Sequence, residues 1–119
     1  MADDERRARP AFDIEALDRQ TAGDRALRFD IVRMFLEDCP AYVNTLRAAV
    51  QEGDAEQLRT TAHKLKGAAG FLSARAVVET AARLETLGRD RRLDEAPAAL
   101  EQLDAAVTIL VPELRKVEP

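Results

Sequence analysis

The chain contains one histidine, His63, set in the run Ala62-His63-Lys64-Leu65-Lys66-Gly67-Ala68-Ala69-Gly70. On a helix, at about 100° per residue, His63 shares one face with Arg59, Lys66, Gly67 and Gly70, while Leu58, Ala62, Leu65, Ala69 and Leu72 gather on the far side. An imidazole that is partly neutral near pH 7 and presents a ring nitrogen to solvent is a sound nucleophile for phosphoryl transfer. Lys66, about one turn on, places a cation where it offsets the charge of a transferred anion. Gly67 and Gly70 each cost a helix about 0.8–1.0 kcal/mol relative to Ala. In exchange they clear side chains from beside the ring and open a flat approach for a loop of another protein. Taken singly, each residue has an ordinary explanation: a solvated histidine, a solvated lysine, a glycine at a close helix crossing. Taken together they point to a surface that meets a protein and carries an anion. His63 is then the acceptor, Lys66 its electrostatic partner, and Gly67, Gly70, Arg59 and Lys64 the docking surface.

Competing chemistries find little support. With 18 Lys and Arg against 22 Asp and Glu the net charge is −4, and no basic stripe suggests nucleic-acid binding. One histidine and one cysteine give no ligand spacing for zinc or another metal. There is no glycine-rich nucleotide loop, so self-phosphorylation from ATP is not expected. Cys39, alone, cannot form an internal disulfide and falls in an apolar series, which reads as a buried thiol. No apolar run approaches the roughly 18 residues of a membrane span, and the charged start lacks the apolar core of a signal peptide. A cytoplasmic protein is expected.

What must position the histidine is a set of helices. A chain of 119 residues with 46% hydrophobic and 34% charged residues fits one folded domain, with residues 1–10 a flexible N-terminus and 11–117 the domain. Phe12, Ile14 and Leu17 mark one side of a short helix that Asp13 can start. From 25 to 52, Val32, Leu36, Cys39, Val43, Leu46 and Val50 recur in steps of four and three, a helical core stripe widened by Phe29 and Phe35. Asp24 can cap this helix, and Pro40 is expected to kink it or divide it in two. Gly53 reads as its left-handed stop, and Asp54 with Gln57 resembles a capping box for the next helix, 55–72, which carries His63. Ser73 is the expected cap of a helix over 74–87, striped by Val77, Thr80, Leu84 and Leu87 and stopped by Gly88. Arg89–Leu93 reads as a loop. Asp94 is the expected cap of a last helix over 95–116, with Pro97 in its first turn and Leu100, Leu103, Val107, Leu110 and Leu114 as its stripe. Pro112 is expected to bend or fray its end. Four long amphipathic helices on short connections predict an all-α fold: an antiparallel four-helix bundle with a short additional N-terminal helix.

The histidine-centred run, followed by Ala81-Ala82-Arg83-Leu84-Glu85, resembles the signature of histidine-containing phosphotransfer (HPt) domains of two-component phosphorelays. Phe12-Asp13, Phe35-Leu36-Glu37 and Gly53-Asp54 extend the resemblance over about residues 12–110. Ser73-Ala74 stands where many members have Gly-Ala. The resemblance implies a phosphocarrier rather than a self-sufficient enzyme. His63 would accept a phosphoryl group from an aspartyl phosphate on a receiver domain and pass it to another receiver aspartate, with Lys66 stabilising the group and Gly67 permitting close docking. Its partners would be response-regulator receivers and hybrid sensor kinases. The chain would need no cofactor of its own, magnesium being supplied by the receiver. A non-catalytic helical adaptor that docks on and inhibits a kinase or receiver is the alternative. A kinase-like dimerising hairpin is a third, but enough helices are present to close a bundle alone, so a monomer is expected.

Overall fold

The computed structural model describes residues 10–117; the expected flexible N-terminus lies, apart from Pro10, outside the described residues. Five α-helices follow in order: α1 Ile14–Gln20, α2 Arg25–Glu52, α3 Ala55–Phe71, α4 Arg75–Arg89 and α5 Ala96–Arg115, with a 3-10 turn at Leu93–Glu95 before the last. α2 packs on α3, α3 on α4, α4 on α5, and α5 returns to α2, closing the four-helix bundle expected from the stripes. α1 covers one end through buried Phe12 and Leu17. The backbone N–H of Asp13 donates to the Leu72 carbonyl, 3.3 Å away, tying this end to the turn after α3. Ile14, expected on the buried side, is instead exposed at the first position of α1, where Phe12, Ala16 and Leu17 take the buried places.

Local signals at helix starts worked where the cap needs only its own next turn. Asp13, Asp24 and Asp54 accept from the N–H groups of Ala16, Leu27 and Gln57 at 3.0, 3.1 and 3.0 Å, satisfying donors that every helix start leaves open. The capping box at Asp54 is half formed. Gln57 turns its amide to Thr61 Oγ1 at 2.9 Å, and the Asp54 N–H donates instead to the Ala49 carbonyl at 2.8 Å.

The core follows the predicted stripes with a small rotation. Leu58, Ala62, Leu65, Ala69 and Leu72 on the His63 helix are all fully buried. On α2 the line is Val32, Phe35, Cys39, Leu46 and Ala49, with Leu36, Val43 and Val50 half-buried beside it. Burial pushes the Cys39 thiol up to about 11, so at neutral pH it is un-ionised and a weak nucleophile. α2 is not divided at Pro40, and α5 continues past Pro112 to Arg115. Each proline removes one intrahelical bond, but both rings are exposed, while buried neighbours such as Cys39, Leu110 and Leu114 hold the helices together. A groove of about 350 Å³ runs between α2 and α5, lined by Leu36, Pro40, Val107, Thr108 and Val111 among others.

Three expected helix boundaries are corrected. Ser73 does not cap α4; Ala74 precedes the helix without a side-chain cap bond. Ser73 instead sits in the left-handed region at φ 53°, where its N–H reaches Gly70 O and the Ala74 N–H reaches Ala69 O, both at 3.0 Å. That is a Schellman ending of α3, the reason glycine is common at such a site. Gly88 does not stop α4. It is buried inside the helix, and a Cβ there would come within 2.7 Å of Arg59 N and 2.8 Å of Ala55 O. Gly88 is therefore the close crossing of α4 on α3. Asp94 lies within the 3-10 turn, and α5 starts after Glu95 with no side-chain cap.

Gly88→Ala is expected to destabilise the protein by the roughly 1–3 kcal/mol of an overpacked core, reversing the gain of about 1 kcal/mol that alanine brings to a free helical position. Ser73→Gly is expected to stabilise it by about 1 kcal/mol, relieving a left-handed L-residue. Urea unfolding of both variants checks the pair; a Gly88→Ala protein as stable as its parent removes the crossing argument.

Candidate functional site

The Gly88 contact fixes how α3 and α4 face each other. The helices run antiparallel, so with Gly88 against Arg59, the residue one turn earlier on α4, Glu85, meets the residue one turn later on α3, His63. Glu85 joins the site's two polar side chains. One carboxylate oxygen lies 2.7 Å from His63 Nδ1, and the other accepts from Lys66 Nζ at 2.5 Å. The His63 side chain remains 65% exposed while that of Glu85 is only 19% exposed, so the acid lies on the inner side of the pair and the imidazole on the outer.

This contact determines the state of the ring. Lys66 first, and His63 after it, hold the Glu85 carboxyl below its ordinary value of 4.5 against the opposing pull of partial burial. At neutral pH Glu85 is ionised and can only accept hydrogen bonds, so the hydrogen lies on Nδ1. In the neutral ring Nε2 then carries the lone pair.

The helical spacing sets Lys66 as a cation beside the phosphoryl position. In the structure it is bound to Glu85 and half-buried. Gly67 and Gly70 are exposed, and a Cβ on either would meet no atom within 4 Å among the described residues. The fold itself does not require glycine at these two places, in contrast to Gly88. Arg59 lies on the same face, but its guanidinium is held by Glu56, one turn back, at 2.5 Å. Lys64 is exposed and forms no ion pair among the described residues. Thus His63, Lys66 and the two glycines come together, Arg59 is engaged elsewhere, and Lys64 stands to one side.

Two parts of the site were missed. Glu85 appeared only within a motif; its role depends on the α3–α4 pairing, which no local spacing reveals. The other is apolar. Beside the histidine helix, Ile31, Met34, Phe35, Tyr42, Ala68 and Phe71 line a groove of about 280 Å³, and Met34 and Phe71 are 60% and 45% exposed. Leu27, Ile31 and Met34 recur along α2 at steps of four and three, a second stripe next to the core one. That spacing was the available signal.

Residues 30–112 match the Hpt domain family. The chain belongs to the Hpt family. The crystal structure of histidine-containing phosphotransfer protein B (HptB) from Pseudomonas aeruginosa PAO1 is similar over most of its length: TM-score 0.85 at 28% identity, covering 92% of this chain and 95% of that one. No curated protein matches the sequence. Among the described residues no group of three His, Cys, Asp or Glu could hold a metal ion, and no helix is long and apolar enough to cross a membrane.

Because its folded pKa is lowered, Glu85 contributes stability that is present above its unfolded value near 4.5 and is lost as pH falls through the lower folded value. Melting curves of the parent and Glu85→Gln should therefore lie apart at neutral pH and converge below 4.5. A gap that stays constant with pH would show that the carboxylate's charge plays no part.

Proposed function

We propose that this Hpt protein is a phosphorelay intermediate in which His63 Nε2 takes a phosphoryl group from the aspartyl phosphate of a receiver domain and gives it to the aspartate of another. The observation that carries this reading is the outward imidazole whose Nδ1 is engaged by Glu85, leaving Nε2 toward solvent. Lys66, held on Glu85 about one turn from His63, keeps a cation beside the ring that offsets the arriving negative charge, and Gly67 and Gly70 let the receiver's active-site loops approach the ring. The protein then acts as a carrier. Its own residues supply the nucleophile and a cation, while magnesium and most transition-state stabilisation belong to the receiver.

The exposed groove between α2 and α3 supports a receiver as the partner. Met34, Ile31 and Phe71 form an apolar patch directly alongside the reactive face, and such patches mark protein interaction sites. Response-regulator receivers and the receiver modules of hybrid sensor kinases are the proposed partners, engaged by a monomer of this chain. Lys64, exposed on the same helix as His63, is suited to a partner's acidic rim.

Incubation with a phosphorylated receiver should label the protein with an acid-labile, alkali-stable phosphate, and His63→Gln should abolish the labelling. Undiminished labelling of that variant overturns the assignment; no labelling of the parent, with inhibition of the kinase retained by His63→Gln, favours the adaptor. Gly67→Ala should separate folding from docking. The added methyl stabilises α3 by about 0.8–1.0 kcal/mol, yet transfer from the receiver should slow roughly tenfold or more as the two active sites are held apart. Equilibrium unfolding and transfer kinetics on the same sample measure both, and a faster or unchanged transfer contradicts the cleared-approach reading.

A further inference from the structure

Resting on the reading that His63 is the phosphoacceptor, we infer that Glu85 keeps the phosphorylated ring protonated on Nδ1 and thereby keeps the phosphoryl group transferable. In the loading step the Nε2 lone pair forms the N–P bond while the P–O bond to the donor aspartate breaks, its electron pair staying on that carboxylate. Nδ1 retains its hydrogen, so the ring becomes a phosphoimidazolium. Its positive charge faces the Glu85 carboxylate 2.7 Å away. In the unloading step the N–P bond breaks, the pair returns to Nε2, and neutral imidazole is the leaving group.

Loss of the Nδ1 proton between the two steps would change the leaving group to an imidazolate anion, which departs far less readily. The phosphate would then wait for a proton to return. An anion at hydrogen-bond distance favours the charged form of the ring and opposes that loss. Phosphorylation itself gives Nδ1 no second anchor, so this duty falls to Glu85.

The other charges around the ring modulate the effect. Lys66, from the same helix as His63, occupies the second carboxylate oxygen of Glu85 and so withholds part of its charge from the ring. Arg59 acts on Glu85 only at longer range and is bound to Glu56. Lys64 is exposed, and from α2 Asp38 stands in the wall of the apolar groove. Glu85 and Lys66 are therefore the pair that sets the ring's proton.

The test uses the full chain phosphorylated with phosphoramidate, which needs no receiver. Heteronuclear NMR of labelled histidine follows the Nδ1 proton against pH, and phosphorus NMR follows loss of the N–P bond. In Glu85→Gln the phosphorylated ring should lose its proton about one pH unit lower than in the parent, and at mildly alkaline pH its phosphate should survive roughly tenfold longer. Lys66→Met should shift the ring the opposite way, because the carboxylate then serves His63 alone. A merely structural Glu85 would not give opposite shifts, and circular dichroism confirms that both variants are folded. Equal titration of parent and Glu85→Gln on Nε2-phosphorylated protein overturns this inference and leaves the carrier reading standing. Phosphorylation at Nδ1, or at no ring nitrogen of His63, overturns both.

Discussion

The absence of a side chain at Gly88 is the constraint on which the site depends. It lets α4 lie against the backbone of α3 at Ala55 and Arg59, and that contact sets both the spacing and the register of the two helices. One turn along, the same register delivers Glu85 to His63 and Lys66. A wider crossing or a slip of one residue would leave the imidazole on a bare helix surface, with neither ring nitrogen fixed and the lysine unconstrained. The two exposed glycines have a different origin. They do not answer to any neighbour in the chain, and they leave room for something outside it.

Around that crossing the charges form a short chain, ammonium to carboxylate to imidazole. The carboxylate is the least exposed of the three, so it is the least screened, and interactions of charges in such positions are stronger than between solvated side chains. Exposed pairs such as Arg47 with Asp104 contribute little by comparison. The polar chain thus orders the imidazole on the same helix that walls the apolar groove. His63 and one wall of the groove, Ala68 and Phe71, share α3.

Much of this was legible in the sequence because helix stripes and aspartate caps are local. Val32 through Val50, or Leu58 through Leu72, needs only its own periodicity to declare a buried face, and Asp13, Asp24 and Asp54 need only the next turn. The family signature centres on His63, and helical spacing alone sets Lys66, Gly67 and Gly70 on its side of α3. Misreadings arose where tertiary packing outweighs local preference. Gly88 has the composition of a stop but the environment of a crossing. Ser73 has the chemistry of a cap, but the ending of α3 needs a left-handed residue there. Pro40 would break an isolated helix, yet here one missing bond is outweighed by the buried residues around it. Glu85 and the Met34–Phe71 groove depend on elements far apart in the chain, and no spacing within one helix could disclose them.

The two prolines have a consequence for how the bundle moves. Pro40 on α2 and Pro112 on α5 each deprive a carbonyl one turn back, those of Leu36 and Thr108, of the helical N–H that would meet it. Both of those residues line the groove between the same two helices. The seam of α2 with α5 is therefore where amide hydrogen exchange should report the least costly sub-global opening of the four-helix core. It is also the seam that the His63 helix does not form. The chain can breathe on that side while the imidazole, its carboxylate and the α3–α4 crossing remain closed.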